Sequence, residues 1–216
     1  MKNLLLLNTI LYIGSLLIPE MLDVLALYYP GSAHFQPYQI ITHMFMHGSF
    51  FHFLFNMYAL WMFGTVVEQQ WGPKKFLMYY FICGLGAAAL HYGVMAYEFT
   101  GFEKDLVAQG YGTDTVRVQM DRLKDLPRVI GASGAIYGLL AAFGFLFPNN
   151  MLMLLFPPIP IKAKYFVMIL IAIDLYAGIS SRQGDNVAHF AHIGGAIAGL
   201  IIMLFWRNRG TLYQSS

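Results

Sequence analysis

Six runs of apolar residues, at about 4–19, 51–70, 75–97, 131–148, 163–180 and 187–206, divide the chain. Short breaks separate most of them, and two longer connections, 20–50 and 98–128, interrupt the series. The runs lack the period-two alternation of lipid-facing barrel strands, so helices are the element they predict. A helix needs ~17–25 apolar residues to cross a hydrocarbon core; most of the runs reach that, with the first and fourth at the short end. The pattern therefore predicts an all-α polytopic membrane protein, a six-transmembrane-helix bundle forming a single domain over residues 1–216.

The connections carry their own signals. Residues 20–50 are apolar and aromatic yet broken by proline and glycine, which suits an interfacial or re-entrant segment packed on the bundle. Residues 98–128 are polar, and TVRVQMDRLKDL within them predicts a short amphipathic surface helix. WGPKK at 71–75 reads as a tight turn, and the prolines of 148–164 forbid a continuous helix there. Small residues crowd GLGAAA at 84–89, GASGAIYG at 131–138 and HIGGAIAG at 192–199, as close helix packing in lipid requires.

Composition agrees with lipid as the solvent. The chain is 58% hydrophobic and 11% charged, against ~25% charged residues in a soluble domain. Its mean hydropathy is +0.57. The N-terminal stretch has a basic residue and an apolar core, but no small-x-small cleavage site follows, so a retained first helix is expected over a signal peptide. The single cysteine, Cys83, excludes an intrachain disulfide. Net charge is +2, and its distribution is the informative part. Lys2, Lys74, Lys75, Lys162, Lys164, Arg207 and Arg209 fall on one side, while Glu20, Asp23, Glu98, Glu103 and Asp185 fall on the other. The excess of Lys and Arg marks the cytoplasmic side, which places both termini inside and predicts a multi-pass protein of a cell inner membrane.

Against this apolar background the buried polar groups need a reason, because an unpartnered imidazole or amide in such surroundings costs several kcal/mol. Runs two, four and six all travel from outside to inside, and Asn56, Ser133 and His192 fall roughly 4–8 Å below the outer boundary at 1.5 Å rise per residue. Ser133 sits between small residues, with Gly131 and Gly134 leaving its hydroxyl uncrowded, and His192 is a base on a distant run. G-x-S-G alone is a weak signal, since serine is common where helices pack. AHFAHIGGAIAG is a second signal: Gly195 and Gly199 flank the face of His192 and would let run six approach run four. His52 and Asn56 are spaced i, i+4 and could donate to an oxyanion, with the backbone N–H of Ser133 as a third donor. Tyr137, four residues after Ser133, could pack on His192 or be a core tyrosine without a role.

A metal is the competing use of the histidines. His43, His47 and His52 could supply three nitrogens to zinc. No H-E-x-x-H and no nearby carboxylate accompany them, and a helix through all three would leave His52 off the shared face, so no metal or other cofactor is expected. His43 and His47 are expected instead to hydrogen-bond carbonyls of the folded segment 20–50. Two acids lie within the runs, where a carboxylate is a functional candidate by default. Asp174 could orient His192 as a third catalytic member or pair with local polar groups, and Glu68 would tie helix ends together. His189 could line the face of His192 nearer water, without a catalytic duty.

Together, HGSFFHFLFN, GASGAIYG and AHFAHIGGAIAG resemble the rhomboid family of intramembrane serine proteases over roughly 35–206. The resemblance implies that Ser133 is the nucleophile and His192 its base, with no acidic third member. It further implies that His52 and Asn56 serve the oxyanion hole and that Tyr137 packs on the histidine. GTVVEQQWG resembles the family's closing motif of the second span, with Glu68 structural. Two features depart from the family. Tyr38 and Gln39 stand where many members have Trp-Arg, and the 98–128 connection exceeds that of compact members.

The expected function is an intramembrane serine endopeptidase acting on transmembrane protein substrates in the lipid bilayer, near the outer face, with no nucleic-acid partner. Water would reach Ser133 through a cap at 181–187. The alternative is a non-catalytic rhomboid-like membrane chaperone or transporter.

Overall fold

The structure is a computed structural model, and it describes residues 1–125, 128–153, 158–180 and 188–213. The cap expected at 181–187 lies outside the described residues. In chain order the elements are α1 (Lys2–Leu17), α2 (Glu20–Leu25), β1 (Leu27–Tyr28) and α3 (Gln39–Thr42), which continues into a 3-10 turn at His43–Phe45. Then come α4 (Phe50–Trp71), α5 (Pro73–Ala108), α6 (Thr113–Asp125), β2 (Arg128–Val129) and α7 (Ser133–Leu146). The last are β3 (Met151–Met153), β4 (Pro160–Lys162), α8 (Ala163–Ser180) and α9 (His189–Asn208).

Four helices, α4, α5, α8 and α9, are long and apolar enough to cross a membrane. α1 and α7 are apolar but shorter; at 14 residues α7 is about 21 Å long, against a hydrocarbon core of about 30 Å. The chain is thus mainly helical as expected, while length alone supports four spans and not six.

Local chemistry sets the ends of the long helices. Ser49 caps α4, its hydroxyl accepting from the His52 N–H at 3.2 Å. α4 ends at Gly72, whose φ of 77° suits glycine and whose N–H reaches the Glu68 carbonyl at 2.8 Å. Pro73 then starts α5, where its missing N–H costs nothing. The Glu68 carboxylate receives the amino group of Met1 at 2.7 Å, which ties α1 to the end of α4.

α5 departs from the expectation by running eleven residues past 97, to a length of about 54 Å. The cause is an apolar face hidden in a polar stretch. Met95, Phe99 and Leu106 lie on one side of the extension and bury themselves against Val116 and Met120 of α6, forming a helical hairpin. α6 itself contains the expected amphipathic segment. Short ladders were not expected: β1 pairs antiparallel with β2, and β3 with β4 within the proline-broken connection.

The 20–50 segment packs on the bundle, as its composition suggests. Gln39 anchors it, being 1% exposed. Its amide donates to the carbonyls of Val24 and His34, both at 3.1 Å, and its oxygen accepts from the Gln36 N–H at 3.0 Å. The residue that departs from the family pattern therefore holds the loop together. Leu27↔Val129 and Tyr28↔Arg128 then fasten this segment to the chain just ahead of α7.

At the centre, α9 packs against both α5 and α7. A Cβ added at Gly195 would collide with the Gly134 carbonyl, so these backbones touch. Gly199 behaves differently from expectation, because it faces the Tyr79 hydroxyl and Cys83 of α5 and not α7. Tyr79 is fully buried and donates to the Gly138 carbonyl at 2.8 Å, joining α5 to α7 beneath Gly199.

Gly195→Ala is expected to lower the thermal unfolding midpoint in detergent, since overpacking of this kind costs about 1–3 kcal/mol. Gly93→Ala, with nothing within 4 Å of the added carbon, serves as control and should match wild type. Equal midpoints for the two variants would show that α7 and α9 part without loss.

Candidate active site

Ser133 is the first residue of α7 and His192 lies in the first turn of α9. The close approach at Gly134 and Gly195 brings their side chains together, with His192 Nε2 2.9 Å from Ser133 Oγ. Tyr137 stacks on the imidazole, the ring centroids 4.3 Å apart and the planes 8° from parallel. This stack fixes the ring plane.

The other ring nitrogen meets an acid. Asp174 of α8 is 4% exposed, and its Oδ1 lies 3.0 Å from His192 Nδ1. The same oxygen is 2.6 Å from His189 Nδ1, and the Tyr137 hydroxyl lies near the carboxylate. A carboxylate accepting from Nδ1–H of a neutral imidazole leaves Nε2 as the acceptor facing Ser133. Ser133, His192 and Asp174 are thereby in line, an arrangement that departs from the dyad without an acid that the resemblance implies.

His52 and Asn56 stand at the start of α4, beside the serine. Gly131, with φ 122°, has no side chain where a Cβ would come within 2.8 Å of His52 Nε2 and 3.6 Å of Ser133 Oγ. The absence of that carbon leaves the space between imidazole and hydroxyl open. The Gly131 backbone is held by its N–H, which donates to the His43 carbonyl at 2.9 Å. Asn56 Nδ2 donates one hydrogen to the His52 carbonyl at 2.8 Å, and its second N–H is the one available to a substrate. The Ser133 N–H has no acceptor within its own helix, because it belongs to the first turn. Together these groups can surround a negative charge that develops next to Ser133. A narrow cavity is lined by Met44, Gly131, Ser133, Gly134 and Ala191.

The loop histidines divide. His43 bonds the Gln39 carbonyl through Nδ1 at 2.8 Å, the type of partner expected for it. His47 does not follow: it is 1% exposed, and neither ring nitrogen makes a well-formed hydrogen bond, although the Phe45 backbone is near. Its ring packs edge-on against His52 at 5.1 Å and Phe53 at 5.5 Å, so it serves as an aromatic filler beneath His52. Burial pushes the pKa of His43 down to about 4, and burial with the nearby His52 pushes that of His47 down to about 3. Among the described residues, the donor atoms that converge closely enough to share an ion belong to Asp174, His189 and His192, and not to the loop histidines. One residue near the site was missed in the sequence. His91 of α5 is within electrostatic range of His192, and a histidine inside an apolar run was the available signal.

Comparisons with known proteins identify the family. The family model for the rhomboid domain matches residues 34–209. The chain belongs to the rhomboid family. Its relatives include rhomboid protease AarA of Providencia stuartii, 32% identical over 168 residues, covering 74% of this chain and 53% of that protein. Mitochondrial rhomboid protein 1 of Saccharomyces cerevisiae is 29% identical over 164 residues, covering 75% and 40% respectively. Rhomboid protease GlpG of Haemophilus influenzae is 29% identical over 164 residues, covering 76% and 67%. The matched region is thus about half or less of the first two relatives. Family and apolar helices together make this a multi-pass membrane protein.

Because His43 and His47 resist protonation in the fold, the unfolded chain binds protons that the folded chain refuses once pH drops below about 6.5. The unfolding midpoint in detergent should therefore fall as pH is lowered from 7.5 to 5. His47→Phe, which keeps the ring and removes the titration, should show a shallower fall. Parallel curves for variant and wild type would overturn this account of His47.

Proposed function

We propose that this rhomboid-family chain is an intramembrane serine endopeptidase that cleaves transmembrane segments of other membrane proteins near their outer ends. The observation that carries the reading is the 2.9 Å contact between Ser133 Oγ and His192 Nε2. In this mechanism His192 takes the hydroxyl proton as Ser133 Oγ attacks the scissile carbonyl. The oxyanion is met by the Ser133 N–H, His52 and the second amide hydrogen of Asn56. The tetrahedral intermediate collapses to an ester on Ser133, and His192 gives its proton to the departing amine. Water then attacks the ester by the same route, releasing the acid and restoring the hydroxyl.

Asp174 acts through His192. Its carboxylate holds Nδ1–H, which keeps Nε2 unprotonated in the resting ring, and it stabilises the imidazolium that forms on attack. It is a positioning residue, and the machinery is then three-membered. Gly131 keeps the oxyanion space clear, while Gly195 sets the approach of the two helices.

Several wider features belong to the same reading. The bundle spans the membrane six times, with α1 and α7 as its short members, in an inner membrane with both termini cytoplasmic, as the Lys and Arg distribution supports. A substrate helix must unwind locally, because its peptide bonds are shielded by their own hydrogen bonds, so helix-weakening residues near the scissile bond are expected. The narrow cavity beside Ser133 favours a small side chain there.

Purified protein should react with a fluorescent fluorophosphonate and cleave a model transmembrane substrate. Ser133→Ala and His192→Ala should each lose both activities, by at least about 10³-fold, Ser133→Ala with unchanged melting and His192→Ala still unfolding cooperatively. Comparable cleavage by either variant would sink the assignment. A folded wild type that neither labels nor cleaves would point to a chaperone or transporter.

Asp174→Asn should lower kcat by about 10- to 10³-fold through loss of the correct tautomer, with KM little changed. An equal effect on KM, or none on kcat, would mean that the carboxylate serves packing alone.

A further inference from the structure

Asp174, His189 and His192 offer one carboxylate oxygen and two imidazole nitrogens that all lie within 4.8 Å of one another. Asp174 Oδ1 is 2.6 Å from His189 Nδ1 and 3.0 Å from His192 Nδ1. Ligands at ~2.0–2.1 Å from a tetrahedral zinc ion stand about 3.3 Å apart, so each oxygen–nitrogen pair would open by well under 1 Å, while the two histidine nitrogens already lie within 4.8 Å of each other. The donors come from two separate helices, α8 and α9, and His189 opens α9 at its outer end. The three side chains are largely buried, at 14% exposure for each histidine and 6% for the aspartate, which is the enclosure of a binding site and not of a surface cluster. The proposed reaction uses Asp174 and His192 but gives His189 no part.

We propose that these three residues form an inhibitory zinc site, at which Zn²⁺ and catalysis exclude each other. The inhibitory role rests on the proteolytic reading above; the binding site does not. Two imidazoles and one carboxylate with an open fourth position is a ligand set suited to zinc, whereas magnesium and calcium favour oxygen ligands. The inhibition follows from which nitrogen the metal takes. In the active form His192 carries its hydrogen on Nδ1 and accepts the Ser133 proton at Nε2. Zinc bound at Nδ1 forces that hydrogen to Nε2, with no net change in the protons on the ring. An Nε2–H can only donate to Ser133 Oγ, so the serine keeps its proton and is no longer a nucleophile. Zinc also takes the Asp174 oxygen that would have steadied the imidazolium. The metal thus acts on the proton path without touching Ser133.

The test uses the 216-residue chain in detergent, freed of metal by chelation. Calorimetric titration with Zn²⁺ should show one strongly bound ion per chain in wild type and in Ser133→Ala, and none with Mg²⁺. His189→Gln should weaken that affinity at least tenfold, with a cooperative unfolding transition showing that its bundle remains folded. Zinc should slow both fluorophosphonate labelling and substrate cleavage at least tenfold, with full recovery after EDTA. Taking each protein's own metal-free rate as baseline, His189→Gln should need at least tenfold more zinc for the same inhibition.

Absence of a stoichiometric ion, or affinity unchanged in His189→Gln, would overturn the site. Binding that leaves labelling and cleavage at their metal-free rates would overturn the exclusion. If metal-free wild type neither labels nor cleaves, the proteolytic reading has failed and the exclusion with it. The titration still decides the site.

Discussion

The contact on which the rest depends is that of two backbones, Gly195 of α9 against the carbonyl of Gly134 in α7. A serine and a histidine 59 residues apart form a 2.9 Å contact only if their helices nearly touch at that level. In lipid no hydrophobic force drives helices together, because the solvent is as apolar as the side chains. Close packing of small residues and interhelical hydrogen bonds must do so. Here both occur: the glycine contact lies one turn from the reactive pair, and Tyr79 secures α5 to α7 through the Gly138 carbonyl. The stiffness of this three-helix centre is what allows the imidazole to be held by stacking on Tyr137.

The serine also depends on the loop segment outside the bundle. Two residues before Ser133 the chain passes through Gly131 at φ 122°, a conformation that only glycine adopts readily. Its neighbours hold it there. The His43 carbonyl takes the Gly131 N–H, β1 pairs with β2, and Gln39 fastens the turn from which His43 projects. The 20–50 segment therefore acts as a brace that presents Ser133 at the head of its helix. His43 supplies both a backbone acceptor and a neutral, satisfied ring. His47 supplies only shape. Neither role required the metal that three neighbouring histidines first suggest.

Much of this was legible in the chain because lipid simplifies the code. Apolar runs mark helices, and the sets around Ser133, His192, His52 and Asn56 stood out since polar groups there need partners. The extent of α5 was not legible, because Met95, Phe99 and Leu106 form a face only when α6 is present to cover it. The short ladders escaped notice for a related reason: two or three residues carry no periodicity, and the pairing of β1 with β2 joins segments far apart. Gly199 was assigned to the wrong neighbour because a glycine at the right spacing marks a close approach without naming the helix approached. Asp174 was visible as an acid in an apolar run, but its reach to His192 depends on the rotation of α8, which spacing within α8 does not determine.

That rotation has an energetic consequence. A carboxylate 4% exposed inside a membrane protein is tolerable only when it is supplied with donors, and here His189 and His192 supply them, with the Tyr137 hydroxyl nearby. Each of the three has a second duty or position: Tyr137 stacks on the imidazole, His192 faces Ser133, and His189 begins α9. Satisfying the charge and orienting the base are therefore one and the same set of bonds. Removing the acid would relieve a burial cost and at the same time free the ring to choose either tautomer. An acid at position 174 thus makes the geometry of His192 a condition of folding α8 against α9, so that a bundle correctly closed at this end is also one whose histidine is correctly set.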